Sequence, residues 1–196
     1  MIRIGVLGST NGTDLQAILD AIESKKLKSK LSVVVSNKKE AFILKRAEKH
    51  KVPYYYISHK NMNRETFDGK ITKVLKRYKV DLVLLIGFMR VLSKSFCKQW
   101  KGKILNVHPS LLPKYAGGMD INVHEEVLKN KEKETGCTIH FVTDEIDGGP
   151  VFIQKTCSVD PEDTVTSLKR KVQTLEGEAF LEAIPLFETK YVLKNE

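Results

Sequence analysis

The stretch IRIGVLGSTNGTDLQAI, residues 2–18, decides the fold class that this sequence predicts. Residues 2–8 form an apolar run that predicts a strand, and apolar residues at helical spacing follow from Leu15 onward. The polar turn at 9–13 contains Gly12, and a turn of this kind leaves backbone N–H groups at a helix N-terminus, where anions bind. It matches neither G-x-G-x-x-G nor the Walker A pattern. Taken alone, it slightly favours a plain connection in which Thr13 or Asp14 caps the helix, with phosphate binding as the alternative.

The alternation of strand and helix patterns continues along the chain, which predicts β-α-β units around a parallel sheet. The continuous apolar run at 81–86 predicts a central strand that is buried on both faces. Further on, two strand patterns joined by the short turn DEIDGGP predict antiparallel neighbours. We therefore expect an α/β fold, a single domain over residues 1–196 with a Rossmann-like, mostly parallel twisted sheet and an antiparallel strand in the C-terminal half. The other strands are expected at 31–36, 53–57, 104–107, 137–142 and 151–159, and the helices at 42–50, 64–78, 93–100, 123–130 and from Val165, with Asp163 or Thr164 as its N-cap.

Composition and cysteine usage indicate a soluble protein that needs no covalent staples. At 196 residues the chain can bury about 70% of its unfolded surface. Cys97, Cys137 and Cys157 are widely spaced and lack a C-x-x-C pair, which predicts neither a disulfide framework nor a zinc site. The N-terminal apolar run is shorter than a secretory signal is expected to be, and no segment approaches an apolar run of about 20 residues. We expect a cytoplasmic protein without a bound metal or a membrane partner.

The net charge of +9 favours anionic partners but does not choose among them. The lysines are dispersed along the chain, and no aromatic residues alternate with them as a base-stacking surface would require. A solvated lysine-rich surface is the preferred interpretation, and we expect no nucleic-acid partner.

An amide and an imidazole stand together in the segment ILNVHPSLLPKYAGG, residues 104–118. Asn106 and His108 lie two residues apart near the end of a predicted parallel strand, where open α/β sheets form their ligand crevice. Two such donors at one point suit a developing oxyanion. A carboxylate would hold the histidine tautomer and raise its pKa, and Asp147 in the DGGP turn is the leading candidate. The residues alone leave Asp147 equally open to a local Asx turn, and His140 reads as a residue on a strand face.

Several motifs in the same order resemble the phosphoribosylglycinamide formyltransferase family of folate-dependent enzymes. They are NGTDLQAI, SNKKEAF, GFMRVLS, NVHPSLLPKY, HFVTDEIDGGPV and VQTLEGE, and together they extend over nearly the whole chain. The resemblance implies the fold of that family and transfer of a formyl group from 10-formyltetrahydrofolate, as co-substrate, to glycinamide ribonucleotide. Small-molecule substrates and a monomer or homodimer are therefore expected.

The resemblance also implies a role for individual residues. The expected catalytic residues are Asn106, His108 and Asp147. The ribonucleotide is expected at Asn11, Gly12, Thr13, Asp14, Pro109, Gln173 and Glu176. The folate is expected at Arg64, Phe88, Met89, Arg90, Val91, Leu92, His140, Val142, Thr143 and Asp144.

The sequence departs from the family pattern at two places. Thr13 and Asp14 stand where family members commonly have Ser-Asn. The loop AGGMDINVHEEVL is slightly longer than in the family, so no role is assigned to residues 119–124. A formyltetrahydrofolate hydrolase and a methionyl-tRNA formyltransferase share the Asn, His and Asp set. Both normally carry an additional domain, for which we expect no room in this chain. A non-catalytic basic nucleotide-binding or RNA-binding protein has only the net charge in its favour.

Overall fold

Seven strands form one sheet in the computed structural model, which describes residues 1–118 and 121–192. The strands are β1 (Arg3–Gly8), β2 (Lys30–Ser36), β3 (Tyr54–Tyr56), β4 (Leu82–Ile86), β5 (Ile104–His108), β6 (Glu134–Phe141) and β7 (Val151–Ser158). The helices are α1 (Thr13–Glu23), α2 (Phe42–Lys49), α3 (Arg64–Arg77), α4 (Lys94–Gln99), α5 (Ile121–Lys129) and α6 (Val165–Phe187), followed by a π-helical turn, Glu188–Val192.

The strand order is β3-β2-β1-β4-β5-β6-β7. The pairs from β3 to β5 are parallel, whereas β5 with β6 and β6 with β7 are antiparallel. The expected α/β fold is thus confirmed, with two antiparallel pairings rather than one isolated strand. β6 begins at Glu134, before the expected 137, because it pairs with β7 along its whole length.

Helices cover both faces of the sheet and bury its central strands. All five residues of β4 are buried, as the apolar run predicted. One apolar cluster joins the sheet to α1, α2 and α6 and includes Ile18 and Phe180. The other joins the opposite face to α3 and α4 and includes Phe67 and Phe96. This two-sided burial leaves the loops at the carboxyl ends of the parallel strands free to build a site.

The helix that follows the first turn begins differently from the expectation. Gly12 is the N-cap of α1 and has a left-handed backbone with φ of 66°, and no side chain caps the helix. The expected cap by Thr13 or Asp14 is therefore wrong. A side chain at position 12 would also meet Ile43 of α2, so glycine satisfies both the backbone and the close approach. At α6 the expected cap is confirmed, because Thr164 accepts from the Ser167 N–H.

Across residues 1–118 and 121–192, the chain has no helix with the length and apolar character needed to cross a membrane.

Candidate active site

A cavity of about 790 Å³ opens at the carboxyl ends of β1, β4 and β5. Its position is where ligands bind in open α/β sheets, beside the point at which the strand order reverses between β1 and β4. Four segments supply most of its lining: residues 9–14, 85–92, 106–109 and 140–147, with Gln173 and Glu176 from α6. Each segment directly follows or ends a strand, so the sheet holds the site in place.

Asn106 and His140 meet at the floor of the cavity because β5 and β6 pair them directly. The Asn106 Nδ2 atom lies 3.1 Å from His140 Nε2, and His140 Nδ1 lies 3.0 Å from the Phe141 carbonyl oxygen. A carbonyl only accepts, so Nδ1 carries a proton. A neutral His140 then accepts from Asn106, whereas a protonated one has an N–H directed at Asp147 Oδ1, 3.5 Å away. His140 therefore links the amide to the carboxylate, a role that its place on a strand face did not suggest.

His108 is buried, and both of its ring nitrogens face acceptors. Nε2 donates to the Tyr115 carbonyl at 3.0 Å, and Nδ1 lies 3.3 Å from Asp147 Oδ2. Burial lowers the pKa of His108 below its ordinary value, although Asp147 and the Tyr115 carbonyl act in the opposite direction. The expectation that Asp147 gives His108 a raised pKa is therefore wrong in its net sign, because desolvation outweighs the carboxylate.

Asp147 is held as a carboxylate by the groups around it. Burial alone would raise its pKa, but contacts with His140, the Gly117 N–H and His108 lower it below the ordinary value. The Gly117 N–H donates to Oδ2 at 2.9 Å. Asp147 itself has a left-handed backbone with φ of 51°, and a Cβ at Gly149 would overlap the Phe141 carbonyl. The DGGP turn thus aims the carboxylate between two histidines.

The ribonucleotide candidates gather at one end of the cavity. Asn11, Gly12, Thr13 and Asp14 line it from the first turn, and Gln173 and Glu176 line it from α6. Arg46 of α2 fixes the turn, since its Nε donates to the Asn11 carbonyl at 2.8 Å. The cations lining the cavity include Lys38 and Lys169. Backbone N–H groups and cations together make this end suited to an anion.

The folate candidates also line the cavity, with one exception. Residues 88–92 and 142–144 line the cavity, and the Met89 N–H donates to Ser9 Oγ at 3.0 Å. Arg64 is not among the lining residues; it begins α3, and its charge acts on the buried Asp68. Arg90 lies over the Phe67 ring at 4.8 Å. In the loop for which no role was assigned, Met119 and Asp120 lie outside the described residues, and the buried His124 lines the cavity.

A family model described as formyl transferase matches residues 2–184, which is nearly the whole chain. The chain belongs to the formyl transferase family. Among its relatives, the phosphoribosylglycinamide formyltransferase of Escherichia coli (strain K12) is 42% identical over 176 residues, which cover 89% of this chain and 82% of that protein. The trifunctional purine biosynthetic protein adenosine-3 of Homo sapiens is 40% identical over 185 residues, or 94% of this chain. The chain spans 14% of the Chironomus tentans trifunctional protein and 18% of the human one.

Solved structures agree with this assignment. Glycinamide ribonucleotide transformylase 1 from Symbiobacterium toebii superposes with a TM-score of 0.90 at 38% identity and covers 95% of this chain and 87% of its own. The phosphoribosylglycinamide formyltransferase from Coxiella burnetii has a TM-score of 0.86 at 41% identity, covering 92% of this chain and 84% of its own. The fold of this chain is therefore that of the formyl transferases.

Sequence reasoning missed Thr138, which holds the loop between Pro109 and Pro113 in this formyl transferase. Thr138 Oγ1 donates to the Ser110 carbonyl at 2.7 Å and accepts from the Leu112 N–H at 3.0 Å and from Gln154 Nε2 at 2.9 Å. The only signal in the sequence is a small polar residue inside an apolar strand. Its partners are remote along the chain, so the contact could not be read from spacing.

The formyl transferase family uses a folate-derived formyl donor. Within the described part of the chain, no three His, Cys, Asp or Glu side chains are grouped so that they could hold a metal ion.

Proposed function

We propose that this formyl transferase moves the formyl group of 10-formyltetrahydrofolate to the amine of glycinamide ribonucleotide. The observation that carries the proposal is the position of the cluster of Asn106, His108, His140 and Asp147. It lies in one cavity, between the first turn with α6, where we expect an anion, and the largely apolar segment 88–92. A phosphorylated acceptor and a folate can therefore approach the same reacting carbon from opposite ends.

The first chemical step is attack of the neutral amine on the formyl carbon. A carbon–nitrogen bond forms, and the product is a tetrahedral species with one oxyanion and one cationic nitrogen. Asn106 donates its side-chain N–H to the oxyanion. The pKa of His108 is lowered by burial, but negative charge that develops nearby favours its imidazolium form. His108 therefore takes up a proton from solvent in this step, stabilises the oxyanion through its positive charge, and returns the proton to solvent when the intermediate collapses.

The second step moves one proton and breaks the bond to the folate. Asp147 is the base, since its pKa is held low and it is ionised at neutral pH. It accepts the proton of the cationic nitrogen, directly or through water, and passes it to N10 of the folate. The bond between N10 and the formyl carbon then breaks, and tetrahydrofolate leaves. This route uses neither a metal nor a covalent enzyme intermediate.

Small-molecule substrates, a cytoplasmic location and a monomer or homodimer without a nucleic-acid partner fit the cavity and the dispersed charge. The hydrolase and the methionyl-tRNA formyltransferase would use the same cluster with a different acceptor, so only the acceptor separates them from the proposed enzyme.

Asn106→Ala provides the test of the proposed chemistry. It removes one oxyanion donor, so kcat for ribonucleotide-dependent release of tetrahydrofolate should fall by about 10² to 10³. The kcat of His108→Ala should fall at least as far, while its affinity for folate stays close to that of the unaltered protein. Turnover at the unaltered rate in either variant would remove these residues from the reaction.

A further inference from the structure

The carboxyl group of Asp14 occupies an unusual place in the cavity. It lies in the first turn of α1 and lines the cavity, but only 6% of the residue is exposed. Its Oδ1 atom is buried and accepts no hydrogen bond from any residue that the structure describes. An ionised carboxylate loses its hydration there without gaining a donor, which is costly. The free protein therefore leaves this oxygen unsatisfied next to the expected phosphate position.

The electrostatic surroundings also disfavour the ionised form. Burial raises the pKa of Asp14 to about 7. The nearby Cys137 thiol of β6 has its pKa raised to about 12, chiefly by burial and then by the charges of Glu176 and Asp14. Asp14 and Glu176, which is also buried, therefore lie close enough to act on one thiol. Two acidic groups at one site resist ionising together.

Cations and other titrating groups face the same space from neighbouring elements. Lys38 is exposed and Lys169 is partly exposed, so water screens their attraction for Asp14, whereas Asp14 itself is shielded from water. The charged and titratable groups around this end of the cavity are Lys38, His108, His124, Cys137, Lys169 and Glu176. The screened lysines still attract an incoming anion from the solvent.

A phosphate placed at the N–H groups of the Gly12 turn adds negative charge beside Asp14. An ionised Asp14 would repel it, but a neutral carboxyl group carries an O–H that can donate to it. We propose that ribonucleotide binding makes Asp14 take up a proton from solvent, so that a neutral carboxyl group donates a hydrogen bond at the phosphate end of the cavity. This inference rests on the proposed function and makes Asp14 the residue that sets the pH range of acceptor binding.

The affinity for a phosphorylated ligand should then fall as the pH rises above the pKa of free Asp14. Below the pKa of free Asp14 the proton is already present, and binding costs nothing extra. Above that pKa the proton must be taken from solvent. The dissociation constant for a phosphorylated ligand should therefore rise about tenfold for each pH unit above about pH 7.5. Asp14→Asn keeps the shape and a donor without the charge, so its affinity should be nearly constant over the same range.

Calorimetric titration at about pH 8 in two buffers of different ionisation enthalpy measures this proton directly. The ligands are glycinamide ribonucleotide and ribose 5-phosphate, which carries the phosphate without the titrating amine. The protein should take up close to one more proton with either ligand than Asp14→Asn does. Asp20→Asn, an exposed carboxylate on the same helix, should behave like the unaltered protein.

Equal proton uptake by the unaltered protein and Asp14→Asn, with both binding, would overturn the inference while leaving the proposed function intact. Failure of glycinamide ribonucleotide to bind the unaltered protein at all would overturn both. Should Asp14→Asn fail to fold, the unaltered protein still decides: a dissociation constant for ribose 5-phosphate that does not change between about pH 7.5 and pH 9 contradicts the inference.

Discussion

Replacing Asp14 by asparagine should change how the stability of the protein depends on pH, whether or not any substrate is present. The carboxyl group is buried, and burial raises its pKa from 3.8 to about 7. Its folded form therefore binds a proton more tightly than its unfolded form. The contribution of Asp14 to the free energy of unfolding is fully present when the pH is below the pKa of Asp14 in the unfolded protein. It is lost as the pH rises through the pKa of Asp14 in the folded protein.

The size of the effect follows from the pKa difference. Each pKa unit corresponds to about 1.4 kcal/mol, so the raised value costs the folded state about 4 kcal/mol once Asp14 is fully ionised. Between about pH 5 and pH 8 the free energy of unfolding should fall by about 2.5 kcal/mol more in the unaltered protein than in Asp14→Asn. Asparagine does not titrate, so any constant packing penalty of the substitution cancels from this difference.

Urea unfolding at several pH values gives the free energies, because urea adds no ionic strength to screen the charges. Asp20→Asn is the matched control, since Asp20 is an exposed carboxylate on the same helix and should show no such difference. A stability gap between the unaltered protein and Asp14→Asn that stays constant with pH would mean that Asp14 titrates normally. The burial argument would then be wrong.

Two further pairs of substitutions each compare a change in the turn that carries Asp147, the proposed base, with a second substitution. Gly149→Ala places a Cβ on the Phe141 carbonyl, so the turn must move; kcat should fall about 10²-fold, as expected for a displaced Asp147. Gly69→Ala, in the exposed interior of α3 where a Cβ meets nothing, should instead raise the free energy of unfolding by about 1 kcal/mol in urea titrations. Asp147→Asn removes the base and should lower kcat by about 10² to 10⁴ in steady-state assays. Asp144→Asn should change kcat little, because its half-exposed carboxylate contacts only the exposed Lys94 at 3.8 Å among the described residues. Equal losses from both substitutions would refute the choice of Asp147 as the base.

The fold was largely predictable because its signals are local. The buried run Leu82–Ile86 and the apolar stripe of α3 are visible within a few residues, and both elements form close to the expected bounds. The N-cap at Gly12 was not predictable in this way, since Asp14 is a better cap by propensity and Thr13 is about as good. Packing against Ile43 of α2 and a left-handed backbone decided that position instead.

Most of the candidate site residues line one cavity, but their electrostatics were less predictable from the sequence. Asn106 and His108 could be placed near each other because they share a strand end. Their contacts with His140 and Asp147 depend on the register between β5 and β6, which no spacing in the sequence reveals. The lowered pKa of His108 likewise depends on burial supplied by remote residues. Arg64 was expected at the folate from the family resemblance, yet it does not line the cavity.

The fate of the formyl group tests the proposed reaction most directly. The protein is mixed with 10-formyltetrahydrofolate carrying an isotopic label in the formyl carbon, and with glycinamide ribonucleotide, charged initiator tRNA or no acceptor. The label should appear on the amine of the ribonucleotide, in equal amount to the tetrahydrofolate released, and only when the ribonucleotide is present. Label released as formate without an acceptor, or carried by the tRNA, would contradict the proposed function.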